Sequence, residues 1–366
     1  MDLVQVVHMN TSNHECSYAD NSTLEKSVIL KSKEALEDAI EDYGISHGFS
    51  ECFKLADLGC SSGPTAFLSV TNIINSVLAV CEEKNLKAPT EFQVLLNDLP
   101  NNDFNSLFKI TPSFNSRLQN ENGGGGKSVN CFISGVPGSF FTRLFPSKSL
   151  EFVHSSYAVH FLSQIPEKVL DNNKGNVYLA KSSPPFVYEA YFNQFRKDFT
   201  TFLRMRSMEI ITDGRMVLTL IGRTTSKNCN VFHDLLAKSL QDMLVEGLLN
   251  EKDVYSFNLP VYYPCTNELK AVIESESSFT LDRIETFEVD WDMRTEDEII
   301  KSGESSGKFI AKIYRAVSEP LLAGYFGNTC LHKIYERYEM HTTEQLSKER
   351  ITSFNIVVSL SKKGNN

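Results

Sequence analysis

The residues with the clearest chemical capacity are Asp57, Gly59 and Gly63 in the run Asp57-Leu-Gly59-Cys-Ser-Ser-Gly63, and Asp98 at the end of Glu91-Phe-Gln-Val-Leu-Leu-Asn-Asp98. Glycine lets a ligand approach the backbone closely, because no Cβ holds it off. The Asp57 carboxylate can accept a hydrogen bond from an ammonium group, directly or through water. Asp98 can take both hydroxyls of a ribose, as acids do in dinucleotide folds. The run is not G-x-G-x-x-G and has no P-loop lysine, which disfavours a dinucleotide or a nucleoside triphosphate. An acid with glycines followed by a second acid is the arrangement expected for S-adenosyl-methionine. Taken singly, each acid also has a structural reading, Asp57 as a helix cap and Asp98 as the opening of a turn.

These residues need elements behind them. Residues 53–57 form a short apolar run that stops at Asp57 and the glycine turn, as a strand entering a helix does. Over 65–83, Phe67, Val70, Ile73, Ile74, Val77, Leu78 and Cys81 recur at helical spacing, which predicts a helix with one buried face. Further strands are predicted at 91–98, 129–134, 150–154, 176–180 and 215–221. Strands separated by helical stretches predict βαβ units and a parallel sheet. Later helices are predicted at 230–249, 266–276, 305–326 and 329–350, with strands at 279–289 and 353–360. Lacking strands to alternate with, those helices are expected to cap one end of the sheet. The fold class is therefore α/β, a Rossmann-like sheet flanked by helices with a helical cap, in a single unit over 1–366. The sheet core is expected at approximately 40–222, 277–290 and 351–362, and the cap at approximately 225–276 and 295–350. Residues 1–35 are expected to close over the site.

Composition excludes several classes. The 366 residues carry 36 Lys and Arg against 46 Asp and Glu, a net charge of −10 that argues against a nucleic-acid partner. The eight cysteines show no C-x-x-C spacing, which suits reduced thiols better than a zinc site or a disulfide framework. No apolar run approaches about 18 residues, and the first ten residues lack a signal-peptide pattern. A cytoplasmic protein without a membrane partner is expected.

The order of motifs then becomes specific. The chain carries Ser17-Tyr18-Ala19-Asp20-Asn21-Ser22, Ala56-Asp57-Leu58-Gly59-Cys60-Ser61-Ser62-Gly63-Pro64 and Leu96-Asn97-Asp98-Leu99-Pro100-Asn101-Asn102-Asp103-Phe104-Asn105. It continues with Val136-Pro137-Gly138-Ser139-Phe140-Phe141-Thr142-Arg143-Leu144-Phe145-Pro146, His154-Ser155-Ser156-Tyr157, Leu162-Ser163-Gln164-Ile165-Pro166 and Ser256-Phe257-Asn258-Leu259-Pro260. In this it resembles the plant SABATH methyltransferases, the salicylate, benzoate and jasmonate carboxyl methyltransferases and the caffeine-pathway N-methyltransferases. The resemblance implies a class I methyltransferase core with a helical cap, a homodimer, and methylation of a small molecule in plant specialised metabolism. It implies that Tyr18 and Ser22 lie near the methionine end of S-adenosyl-methionine, with Asp57 and Gly59 below. Asp98 would hold the ribose, Leu99 and Phe140 would sandwich the adenine, and Ser139 would bond its edge. Ser156 and Tyr157 would also meet the cofactor, Tyr157 standing between it and the substrate. Tyr18 would contact the substrate as well.

A carboxylate acceptor is ionised at pH 7 and needs no general base, so orientation is the protein's main task. Azole nitrogens would suit the same chemistry once deprotonated. Two positions depart from the family pattern, in which a Gln and a Trp hold the substrate carboxylate. They are Glu25 and Phe161 here. Glu25 can be protonated, can turn to solvent, or can face a donor or cation on the substrate. His160 can replace the missing indole as a donor, or be a satisfied core histidine. His233 falls at a pocket-wall position, with an exposed helix residue as the competing reading. Tyr314, Val317 and Phe354 match apolar wall positions. A Mg²⁺ position is implied around Asn173, Phe257 and Asn258, but Tyr255 replaces the acid a hard cation prefers. Weak or no Mg²⁺ dependence is expected.

Overall fold

The structure, a computed structural model, describes residues 9–10, 21–122, 129–170, 172–224 and 230–364. Helices α1 (Thr23–Lys31) and α2 (Lys33–His47) lead into β1 (Cys52–Leu58), α3 (Pro64–Glu83), β2 (Glu91–Asp98), α4 (Phe104–Asn122), β3 (Asn130–Pro137) and β4 (Leu150–Ser156). Helix α5 (Pro185–Glu209) runs directly into β5 (Ile210–Ile221). After it come α6 (Val231–Val245), α7 (Glu251–Ser256), α8 (Thr266–Glu276) and β6 (Phe279–Asp290). The chain ends with α9 (Glu296–Ser302), α10 (Ser306–Phe326), α11 (Leu331–Leu346) and β7 (Thr352–Lys362).

The seven strands form one sheet in the order β3-β2-β1-β4-β5-β7-β6. Strands β1 to β5 pair in parallel, and β7 inserts antiparallel between β5 and β6. Chain order steps from β1 out to β2 and β3, then returns to the other side of β1 with β4. Such a reversal opens a crevice at the carboxyl ends of β1 and β4, where open α/β sheets bind ligands. The central strands are buried on both faces, as β4 shows with six of its seven residues buried. Helix α3 begins with Pro64 in its first turn and packs Phe67, Val70, Ile73, Ile74 and Val77 into the core below the crevice. By length and apolarity it could cross a membrane, but two thirds of its most apolar stretch is buried within this fold.

The strand expected at 176–180 does not form. Val177, Tyr178 and Leu179 are buried as expected of an apolar run, but side chains and a loop serve their backbone in place of a ladder. Asn173 Nδ2 donates to the carbonyls of Asn176 and Tyr178, and the Leu259 N–H donates to the Val177 carbonyl. Helix α5, absent from the sequence expectations, has a buried face at helical spacing through Val187, Tyr191, Phe195, Phe199, Phe202 and Arg206. Helices α1, α2 and α4 were likewise not anticipated. The late helices pack on one another, α10 against α11 and α11 against α6. Through Ile313, Tyr314 and Val317, α10 forms a wall of the cavity at the strand ends.

Candidate active site

Two backbone turns shape the floor of that crevice. After β1 the chain turns through Gly59 at φ +72° and Ser61 at φ +59°. A Cβ on Gly59 would lie 2.2 Å from the Ala158 Cβ, so no other residue fits without displacing the next turn. The Asn97 carbonyl accepts from the Gly59 and Cys60 N–H groups, and the Asn102 side chain donates to the Ser61 carbonyl. Asp98 ends β2 with Oδ2 accepting from Ser61 N at 2.7 Å and Oδ1 from Leu99 N at 2.7 Å. Two turns are thus tied to one carboxylate. Asn97 Nδ2 donates to the carbonyls of Val136 and Gly138 and so anchors the end of β3.

The next segment, 138–145, is held from below by a buried ion pair. Arg206 and Glu209 are both 0% exposed and meet at 2.7 Å. Arg206 also donates to the Phe140 and Thr142 carbonyls, while Glu209 Oε1 accepts from the Leu144 and Phe145 N–H groups. The pair therefore fixes the course of the backbone that presents Ser139 and Phe140.

One cavity of about 260 Å³ runs from these turns toward α10. Gly59, Ser61, Asp98, Leu99, Ser139, Phe140 and Ser156 line one end. Tyr157, His160, Phe161, His233, Tyr263 and Tyr314 line the other, with Glu25 entering from the first turn of α1. Tyr157 sits at φ +57°, an uncommon conformation for an aromatic residue. Its hydroxyl donates to Asn355 Oδ1 at 2.5 Å, which fixes the ring between the two ends. His160 is buried with Nδ1 unpartnered, and burial pulls its pKa down to about 3. His233 is buried too, with Nδ1 3.0 Å from the Tyr314 hydroxyl and Nε2 2.8 Å from the Tyr263 hydroxyl. Burial, and secondarily His160, lower its pKa to about 3. Both imidazoles are neutral at pH 7. Glu25 is 5% exposed, its Oε2 has no partner, and burial raises its pKa to about 7.

The chain matches the family described as SAM dependent carboxyl methyltransferase over residues 4–363. The chain belongs to that family. It is 43% identical to a salicylate/benzoate carboxyl methyltransferase of Arabidopsis thaliana, over 98% of this chain and 93% of that one. A Coffea canephora protein named a probable caffeine synthase is 40% identical over 99% of this chain and 98% of its own. Among solved structures, a loganic acid methyltransferase with SAH superposes with a TM-score of 0.83 at 32% identity, covering 98% of this chain and 99% of the other. The class I methyltransferase fold and dependence on S-adenosyl-methionine follow from this membership.

In this carboxyl methyltransferase the crevice suits the cofactor. Ser61 Oγ and Ser156 Oγ are buried, without partners, and line its cavity beside Asp98. Buried hydroxyls left unpaired cost free energy that a polar ligand would recover. Of the sequence-predicted residues, Gly59, Asp98, Leu99, Ser139, Phe140, Ser156, Tyr157, Glu25, His160, Phe161, His233 and Tyr314 line this one cavity. Tyr18 lies outside the described residues. Asp57 stands at the end of β1 but outside the lining, with Oδ1 accepting from His154 Nδ1 at 2.7 Å. Ser22 is also set back, its Oγ accepting from Thr65 at 2.7 Å, which joins the start of α1 to α3.

One wall residue needs correction, and for His233 and Glu25 the structure chooses between the readings left open. Phe354 is not a wall of this cavity but borders a neighbouring open depression. Side chains alternate along β7, so Ser353 faces the cavity and Asn355 holds Tyr157 while Phe354 points away. His233 is a buried wall residue, not an exposed one. Glu25 does not turn to solvent. At the suggested metal position, Asn173 and Asn258 are both 0% exposed and hydrogen-bond each other at 2.9 Å. The Asn173 oxygen accepts from Ser183 and the Asn258 oxygen accepts from Asn173, so both amides are engaged with protein groups. The Phe257 ring is buried beside Tyr325 and Phe326. Among the described residues no group of three or more His, Cys, Asp or Glu could hold a metal, and none of Asn173, Phe257 and Asn258 carries the carboxylate that a hard cation prefers.

The sequence reading missed Ser61, Tyr263, Trp291 and Ser353. Trp291 is the only tryptophan in the chain, a signal that could have found it. Ser61 carried none, because its left-handed backbone appears only in the folded turn.

Proposed function

We propose that the protein forms the methyl ester of a small carboxylic acid with an apolar body, in plant specialised metabolism. The observation that carries this is the chemistry of the acceptor end, where His233 lies between the Tyr314 and Tyr263 hydroxyls and burial lowers the pKa values of His160 and His233 to about 3, which makes both imidazoles poor bases. A carboxylate arrives ionised and asks for no base. S-adenosyl-methionine supplies a methyl group on a positively charged sulfur. The acceptor oxygen forms its bond to carbon with its own electron pair, the sulfur–carbon bond breaks with its pair going to sulfur, and no proton moves. Asp98, Leu99, Ser139 and Phe140 would position the nucleoside. Tyr157, fixed through Asn355, would align the acceptor, and α1 with the helical cap would exclude water.

A second reading, N-methylation of a xanthine or another alkaloid, is favoured by the Glu25 carboxyl, which can accept a proton or a hydrogen bond from a ring N–H. Incubation with radiolabelled methyl donor and a panel of benzoates, jasmonate, amino-acid-like acids and xanthines separates the two. Base-labile label is the expected result. Base-stable label on a nitrogen heterocycle would replace ester formation with the second reading. A homodimer is also proposed, with light scattering on the purified chain as its test.

A further inference from the structure

Glu25 is a buried acid that the methyl transfer above does not use. It lines the acceptor end with Oε2 unpartnered. Among the described residues, no Lys or Arg lines the cavity, and the other acid there, Asp98, is already engaged with backbone N–H groups. The cation that acts on it is Lys26, the next residue on α1, whose influence is smaller than that of burial. Tyr157 and His160 face the same space as neutral groups. A simple carboxylate placed here would face Glu25 with no counter-charge, and like charges in one site are unfavourable. Around the same end stand the rings of Tyr157, Phe161, Tyr263 and Tyr314. Aromatic faces beside a carboxylate make the chemistry that recognises an ammonium ion.

We propose that the preferred acceptor is a zwitterion, a small carboxylic acid bearing a protonated amine whose N–H donates to Glu25 while its carboxylate receives the methyl group. This rests on the ester-forming reading and narrows it. His160 Nδ1, unpartnered and buried in the same cavity, is then available to the acceptor carboxylate as an N–H donor. The bonds made and broken are those already given, and the ammonium keeps its proton throughout.

The test uses ring-matched acids that differ by one group. Piperidine-4-carboxylate carries a ring NH₂⁺ where cyclohexanecarboxylate carries CH₂, and the 3-isomer moves the charge around the ring. Base-labile methyl incorporation is measured for each with the full-length protein. The expected result is that kcat/KM for at least one piperidine acid exceeds that for cyclohexanecarboxylate by about 30-fold or more, the scale of a buried charge pair. In Glu25→Gln, the ratio should fall toward one as cyclohexanecarboxylate improves. Equal use of the two acids by the wild type, or preference for the carbocycle, overturns the proposal without needing the variant and leaves the ester reading standing. Failure to esterify any acid, benzoate and jasmonate included, removes both. Base-stable label on the piperidine nitrogen also overturns it, in favour of N-methylation.

Discussion

Asp98 is the residue on which the cofactor end turns, because one carboxylate organises Ser61 and Leu99 while facing the cavity. Asp98→Asn keeps the size but loses the charge and one of the two acceptors that hold Ser61 N and Leu99 N. It should weaken S-adenosyl-methionine binding by about 10- to 100-fold in calorimetry, the range for hydrogen bonds to charged groups. Unchanged affinity would remove the ribose assignment. Glu25 makes a prediction about stability. Its carboxyl titrates near 4.5 when unfolded and near 7 in the fold. Between those values the native state binds the extra proton, so stability is fully present below pH 4.5 and is lost as pH rises through 7. The loss is about 3 kcal/mol in the ligand-free protein. Glu25→Gln lacks that slope, so its urea-unfolding free energy should gain on the wild type by this amount between pH 4.5 and 8. Parallel pH curves would show that Glu25 is not desolvated. His160 and His233 work in the opposite sense, losing stability as pH falls through 6.5 toward 3, and cancel in the comparison. Sequence marked Asp98, Glu25 and both histidines as candidates. It could not say which way Glu25 points or that two tyrosines occupy His233, since neither depends on neighbours in the chain.

Among the elements, the join between α5 and β5 does more than connect. It places Arg206 and Glu209 under 138–145, where four backbone groups are bound by the pair. Arg206→Lys keeps a charge but loses the planar fork that reaches two carbonyls at once. KM for S-adenosyl-methionine should rise about tenfold with kcat changed much less, because the lost order lies in the binding loop. An equal fall in kcat with KM unchanged would place the pair in the chemical step instead. Nothing in the sequence reading pointed to this pair, since its partners lie 64 to 66 positions away. Strand β7 shows the limit of motif matching in another way. Phe354 matched a wall position by type, but strand alternation gives that face to Ser353. The loop at 173–183 predicts a negative result. With no carboxylate among Asn173, Phe257 and Asn258 and both amides engaged with protein groups, chelation by EDTA should leave the methylation rate unchanged.

Across the whole molecule, the cavity joins segments far apart in the chain: α1, the ends of β1, β2 and β4, the loop after β3, and α10. A ligand that binds only this assembly stabilises all of it. S-adenosyl-homocysteine at 100 times its Kd should add about 2.7 kcal/mol and raise Tm by several degrees. Absence of any shift would argue that the crevice does not bind the nucleoside. The sequence by itself determined the α/β class, the strand-turn-acid order of the cofactor end and the family, because each resides in local spacing and in motifs kept contiguous. Tertiary structure alone decided that Asp57 is paired to His154, that 176–180 is a loop, that Phe354 is outside the cavity and that Glu25 is inside it with Oε2 unpartnered. Those outcomes depend on which distant groups fill hydrogen bonds and exclude water, and burial of that kind arises only when the helices after β5 have packed against the strand ends.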